Sequence, residues 1–309
     1  MASTAVIRND LRSLRTTRSL RERLDVQRRI VLVAAVSMVL MVAVLLLFIF
    51  WQGIQLFLVN GLTLGDILNT RWAPDSANPS YGILPFVAGT IGVTAVAVLI
   101  AAPLSIGLAI FLSEIAPPWA KAIVQPALEV FVGIPSVVWG WLGIVILVPF
   151  LRINFAWAGF TLGFSWLAGS IVVAIMILPT VTAVTYDSYV AIPQDQRGAS
   201  LALGTTRWQT IRHILIPGAK AGTLTAIVLG TTRAAGEALA VQMVIGNRPV
   251  MPTSIAQPVT TLTSQITLDM GNTVFGETWN NVLWTMGLVL LLISMLFVTI
   301  VRRLNRHQA

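Results

Sequence analysis

Arg233 and Glu237 are the two charged side chains inside the otherwise uncharged run Ala221–Asn247. An arginine at the middle of a bilayer costs roughly 2.5–3.5 kcal/mol even on a lenient insertion scale, so it must face a bundle interior or a watery cavity. If the run is one helix, Arg233 lies about 18 Å from either end. Glu237 then follows at i+4, one turn outward on the same face. Two chemistries fit such a pair. The charges may simply neutralise each other and lock helix packing. Alternatively, the planar guanidinium fork binds a tetrahedral oxyanion in passage, while Glu237 holds the fork in place and keeps the anion from binding too tightly to leave. Glu129 is a third candidate, about 12 Å into a helix that starts near Lys121. Pro126 and the Gly133–Pro135 pair are expected to kink that helix, and a discontinuous helix in a bundle often lines a pathway. A near-interface carboxylate that caps or pairs locally is the plainer reading of Glu129.

Other chemistries are excluded by composition. Cysteine is absent, and His213 and His307 are the only histidines, which disfavours a metal site or a histidine-based triad. A phosphate-cradling P-loop needs Gly-Lys-Ser/Thr. The only lysines, Lys121 and Lys220, both follow alanine, so this chain is no ATPase and any ATP must be used by a separate subunit. No cofactor is expected on the chain, and an enzyme is not indicated.

The elements that position these residues are long apolar runs. The chain has 309 residues, 56% hydrophobic and 10% charged, far below the roughly 25% charge of soluble domains. A bilayer core about 30 Å thick requires about 20 residues of helix. Six runs qualify: Ile30–Trp51, Leu84–Leu112, the 22 uncharged residues between Glu129 and Arg152, a run within Ile153–Tyr186, Ala221–Asn247 and Thr278–Val301. The predicted fold is all-α and integral to a membrane. The net charge of +8 is concentrated beside the runs, with eight arginines before the first and three after the last. With a cytoplasmic amino terminus, 16 basic residues fall inside and three, Arg71, Arg152 and Arg248, fall outside, so both termini are placed in the cytoplasm. The first run exceeds a signal-peptide core and is followed by no small-x-small cleavage site, which favours an uncleaved anchor. The expected organisation is a basic tail at 1–29, an anchor at 30–51, a mostly irregular external loop at 52–83, a transmembrane domain at 84–301 and a cytoplasmic tail at 302–309. The long external segment Arg248–Glu277, rich in Thr and Pro, is read either as a docking surface or as solvent-exposed filler.

Residues 193–220 form the informative cytoplasmic loop. Ala199, Leu201, Ala202 and Leu203 favour helix, Gly204 breaks it, and Thr205-Thr206 can cap a second helix from about Arg207 to Leu215 that stops near Pro217. Gly204, nine intervening residues, Ile214 and Pro217 reproduce the spacing of the loop motif in permease subunits of ABC importers, which this stretch resembles. Gly198, Ala199 and Ser200 stand where that family has Glu-Ala-Ala, and Ile216 replaces Leu. The resemblance implies a helix–turn–helix that seats on an ATPase subunit and transmits its closure to the spans.

Three further stretches resemble the PstC branch of phosphate permeases: Tyr81–Thr90, Leu128–Gly140 (LEVFVGIPSVVWG) and Arg233–Asn247 (RAAGEALAVQMVIGN). The likeness covers roughly Tyr81–Val301. It implies a type I ABC importer permease fold, a five-helix core plus the amino-terminal anchor, working as half of a phosphate pathway in the cell membrane. The implied partners are a PstA-like permease subunit, two copies of a PstB-like ATPase and an external PstS-like phosphate-binding protein. Permeation of another oxyanion (sulfate, molybdate or tungstate) is the nearest alternative. A passive anion channel or a membrane scaffold fits less well, since neither needs a motor-docking helix.

Overall fold

The structure, a computed structural model, describes the backbone of residues 2–306 and the side chains of residues 28–299 and Arg303. The side chains of the arginines between positions 8 and 23, and of Arg302 and Arg306, for which a topology role is expected, lie outside the described residues. The chain divides into two compact units, Met1–Gln52 and Gly53–Ala309.

The first unit is helical and belongs to α1 (Ala2–Leu58). From Ile30 to Leu47 every side chain is exposed. A helix that is apolar on all sides has no water-facing side and suits lipid.

The second unit is helical apart from one small hairpin. Its elements are α2 (Leu64–Ile67), β1 (Trp72–Ala73), β2 (Ser80–Tyr81), α3 (Leu84–Ile110), α4 (Pro118–Gly133), α5 (Ser136–Leu142), α6 (Val148–Asn154), α7 (Trp166–Val190), α8 (Gln194–Ala202), α9 (Arg207–Thr210), α10 (Ile216–Gly218), α11 (Lys220–Gly236), α12 (Leu239–Ile245), α13 (Leu262–Asp269) and α14 (Thr278–Arg306). Wide π turns extend α3 (Phe111–Ile115) and join α5 to α6 (Gly143–Leu147) and α9 to α10 (Ile211–Leu215). Arg28–Leu58, Leu84–Ile115, Ser136–Asn154, Trp166–Val190 and Thr278–Thr299 are long and apolar enough to cross a membrane. A sixth span results if Arg207–Gly218 and Lys220–Gly236, bent by 66°, are taken together.

Helix α7 is the central post, packed against α3 and α11. Small residues recur every turn on α3 (Val93, Ala97, Ala101) and meet Val173, Ala174 and Ile177 of α7 with Ala234 of α11. Small side chains let backbones approach closely, and in lipid that dispersion gain replaces the hydrophobic drive. A second cluster joins α6 and α7 to α12 through Val148, Leu151, Val172, Met176 and Val244. At the end of the bundle where α3 begins, Ile67, Ile83, Phe86, Leu262, Val282, Leu283 and Met286 form a third.

Two connections differ in part from expectation. Residues 52–83 keep irregular backbone over about half their length, but they are not loose: α1 continues to Leu58, α2 follows, and an antiparallel hairpin pairs Trp72 with Tyr81. Trp72 also stacks edge-on to Phe86 with ring centroids 5.1 Å apart. This packing against α3 and α14 orders what its Asn, Pro and Gly content suggested was loose. The Thr-rich segment after Arg248 is likewise not filler. It turns back into the bundle, where Val259, Leu262 and Ser264 have no exposed surface. Gln257 and Ile255 carbonyls accept from the N–H groups of Trp166 and Leu167, the first residues of α7. Leu262 N–H donates to Thr90 Oγ1 at 2.9 Å. The threonines thus satisfy backbone groups inside the bundle, a demand that composition alone does not reveal.

The returning segment leaves no room beside α3 at Gly89, where an added Cβ would run into the backbone carbonyl of Thr260. Backbone cannot swing away as a flexible side chain can. Gly89→Ala should therefore destabilise the purified protein by about 1–3 kcal/mol, the usual cost of overpacking, read as a lowered unfolding midpoint in detergent. Gly107→Ala on the same helix, where a Cβ meets nothing within 4 Å, should leave the midpoint unchanged.

Candidate functional site

The expected continuous helix Ala221–Asn247 does not form. Helix α11 ends at Gly236, and Glu237 takes extended backbone angles (φ −71, ψ 127) before α12 starts at Leu239. At 1.5 Å per residue, the 17 residues of α11 and the seven of α12 together supply about 36 Å of helix. The run stays helical on either side of Glu237 and Ala238, and the rod is broken there.

The break removes the i+4 relation between Arg233 and Glu237. Glu237 Oε1 accepts from the N–H of Ala240 at 3.3 Å, so the carboxylate caps the first turn of α12. Its backbone carbonyl accepts from Thr263 Oγ1 at 2.8 Å. A carboxylate is well placed at a helix start, where N–H groups lack intrahelical partners and the dipole is positive. Arg233, half-buried at the far end of α11, instead donates from Nη1 to Thr180 Oγ1 of α7 at 2.8 Å. Among the described residues no ion pair joins Arg233 to Glu237. The guanidinium is steadied by a neutral hydroxyl. Thr180 carried no sequence signal as a partner, because its reach to Arg233 exists only once α7 and α11 pack.

A parallel break lies in the other discontinuous span. Helix α4 ends at Gly133, Ile134 and Pro135 are extended, and α5 starts at Ser136. Helices α5 and α12 run side by side: a Cβ on Gly140 would come within 3.0 Å of Ala240 Cα, and one on Gly143 within 2.5 Å of Val244 Cγ1. Glycine at both positions permits this approach. The two interruptions therefore fall within about one helical turn of the same depth.

Glu129 is exposed on α4, on the side of this break away from α5. It lines a cavity of about 300 Å³ with Gln125 and Leu128 of α4 and Pro179, Ala183, Tyr186 and Asp187 of α7. Pro179 is next in sequence to Arg233's partner Thr180, but consecutive helical residues point in different directions, and neither Thr180 nor Arg233 lines the cavity. Glu129 is not brought to Arg233 or Glu237 by any contact among the described residues. Asp187, which the sequence analysis did not single out, is the second carboxylate of that cavity.

At the opposite end of the bundle from the hairpin, α8 and α9 form a helix–turn–helix. Gly204 makes the turn at φ +81, a left-handed conformation that glycine adopts without strain. Thr206 caps α9 reciprocally with Gln209. Ser200 is buried, and its hydroxyl lies 2.8 Å from Thr205 Oγ1 and 3.0 Å from Thr210 Oγ1, tying the two helices together. Gly198 and Ala199 are exposed, and a Cβ on Gly198 would meet nothing within 4 Å. Ile214 is half-buried in the π turn. As expected, the second helix stops near Pro217: it runs through α10 to Gly218 and then bends into α11. Leu203 is 84% exposed on a groove it lines with Ala199, Gln209, His213 and Ile214, and Trp208, 61% exposed, lines a second groove with Gly198, Leu201 and Ile211. Such an apolar patch marks a surface made to be covered.

An apolar helical bundle with an unneutralised interior arginine, two interrupted spans and a docking motif at one end defines the membrane subunit of a transporter. The chain belongs to the family of binding-protein-dependent transport system inner membrane components, which matches residues 103–309. It is 48% identical over 282 residues to a probable ABC transporter permease protein, YqgH, of Bacillus subtilis, covering 91% of this chain and 90% of the relative. It is 32% identical to the phosphate transport system permease protein PstC of Xylella fastidiosa, over 94% of this chain and 95% of that protein. The probable PstC of Methanocaldococcus jannaschii is 31% identical over 86% and 89%. Among solved structures, an inward-facing form of the MetNI methionine ABC transporter superposes with a TM-score of 0.56 at 18% identity, over 74% of this chain and 96% of that one. A bacterial importer of alginate gives 0.55 at 15% identity, over 87% and 95%. At these identities the likeness establishes the fold, that of a type I ABC importer permease.

Because Gly204 has open space around it, the cost of replacing it is purely conformational. Gly204→Val should cost about 1–2 kcal/mol and expose the α8–α9 loop to limited proteolysis. Gly204→Asn, a residue that tolerates left-handed backbone, should stay as resistant as the parent.

Proposed function

We propose that this chain is one permease subunit of an ATP-driven phosphate importer, forming half of the translocation pathway. The observation that carries the reading is Arg233: a half-buried guanidinium in an apolar bundle, steadied by Thr180 and paired with no carboxylate among the described residues. Its remaining N–H groups suit a tetrahedral oxyanion, which accepts from two donors of the planar fork at once. The likeness to PstC proteins over nearly the whole chain supports phosphate as that oxyanion. Glu237 then acts through shape, by capping α12 and holding the break open. Glu129 and Asp187 line the continuation of the route, where negative charge discourages a phosphate from lingering.

The remaining assignments follow from the same reading. The loop around Gly198, Ala199, Ser200, Gly204, Ile214 and Pro217 docks on a PstB-like ATPase, with exposed Leu203 and Trp208 as apolar anchors. A PstA-like subunit supplies the other half of the pathway. A PstS-like phosphate-binding protein delivers substrate to the hairpin end. Both termini lie in the cytoplasm. Tags at either terminus should accordingly be protected in right-side-out vesicles and a tag at Asn78 accessible; labelling of a terminus from outside would overturn this orientation.

The test of the anion contact is uptake of labelled phosphate, with sulfate, molybdate and tungstate as competitors, by the reconstituted complex. Arg233→Gln should reduce uptake per assembled complex by about tenfold or more, the value of a lost charge-assisted contact. Arg233→Lys should rescue it only in part, since a point charge lacks the fork. Glu237→Gln keeps a capping acceptor and should be mild. Near-native uptake by Arg233→Gln/Glu237→Gln would show that the arginine serves only to balance charge.

A further inference from the structure

Arg197 sits one residue before the exposed Gly198, yet its side chain is only 12% exposed. It turns away from the docking surface and into the bundle. Nη1 donates to the carbonyl of Ile192 and Nη2 to that of Tyr189, each at 2.7 Å. These carbonyls close the end of α7, where the last helical acceptors lack intrahelical donors and the dipole is negative. Nε lies 3.3 Å from Glu114 Oε1, whose side chain is 19% exposed. That approach lacks hydrogen-bond alignment, since Nε has no hydrogen-bond partner; it is an ion pair held by charge. Glu114 lies in the π turn that extends α3. The wider turn shifts the register of α3 at its last residues, and such bulges concentrate at functional places.

One guanidinium therefore joins the first docking helix to the ends of α3 and α7, the two helices that form the centre of the bundle. The hydroxyl cluster of Ser200, Thr205 and Thr210 fixes α9 to α8. Force applied to the exposed face of either docking helix thus reaches α7 through Arg197, beside the apolar packing of Ile211 and Leu215 on Tyr189 and Ile192. Thr180, the hydroxyl that holds Arg233, lies nine residues from Tyr189 on that helix, about 14 Å away.

The geometry points to Arg197, paired with Glu114, as the positioning residue that transmits movement of the docking helices to α3 and α7. This rests on the reading of the α8–α9 loop as the motor-docking element. Arginine suits the task because one rigid planar group satisfies two carbonyls and a carboxylate together. Charge exchange cannot reproduce it: Arg197→Glu with Glu114→Arg restores an ion pair but removes the guanidinium donors from both carbonyls, of which only that of Tyr189 keeps a backbone N–H, from Ile192.

The experiment uses the complex with its ATPase in nanodiscs. The parent chain has no cysteine, so spin labels go directly on Ala202→Cys and Val190→Cys, exposed positions at the ends of α8 and α7. In the parent the interlabel distance should be narrow and the same in the nucleotide-free and ATP-trapped states, because the two helices move together. Arg197→Ala should broaden it or make it differ between states. In the same variant phosphate uptake should fall about tenfold, as expected for hydrogen bonds to a charged group, while ATP hydrolysis continues. Arg197→Lys should be intermediate, Glu114→Gln mild, and the exchanged pair as poor as Arg197→Ala. An unchanged distance distribution with unchanged ATP hydrolysed per phosphate in Arg197→Ala would overturn the proposal. The distance measurement needs no substrate, so it stands even if the transported anion proves to be another.

Discussion

The bilayer offers no hydrogen bonds, and this constraint shapes the second unit more than any single contact. A helix may be interrupted at membrane depth only where protein groups replace its lost partners. At Glu237 the replacements are visible: the side chain caps α12 and Thr263 donates to the carbonyl. Thr263 can do so only because the segment after Arg248 folds back into the bundle. The open backbone near Arg233 and the buried threonine segment are thus two halves of one arrangement.

That arrangement explains what was legible in the sequence and what was not. Apolar runs and basic flanks are local, so the spans could be counted from composition. The helix–turn–helix was readable because Gly204 and Thr206 act within their own few residues. The Arg233–Glu237 pair was misread because helical spacing was extended through Gly236. Nothing local says that a glutamate inside an apolar run prefers to cap a new helix. That preference depends on Thr263, 26 residues further on. Thr180 and Glu114 were missed for the same reason: their partners are distant in sequence and adjacent only after packing.

The site and the docking loop share α7. Its middle carries Thr180 and the cavity wall, its last carbonyls bind Arg197, and small residues on α3 press against it along its length. A close-packed interface of this kind slides or tilts as a body and does not absorb displacement locally. Glycines at 140 and 143 extend the same tight packing to α12. On the proposed coupling, motion delivered at one end would reach the two breaks, where the helices change direction.

The return of residues 255–263 into the bundle also orders its biogenesis. The first N–H groups of α7 find their acceptors on Gln257 and Ile255, about 90 residues later in the chain. When α7 leaves the ribosome and enters the membrane, those acceptors do not yet exist. Its start must stay hydrated, or be held by the insertion machinery, until α11 and α12 have crossed and the threonine segment has emerged. Maturation of the pathway is then a late event, completed from the hairpin side after the spans are already in place, and a chain truncated after α12 would insert without ever closing that face.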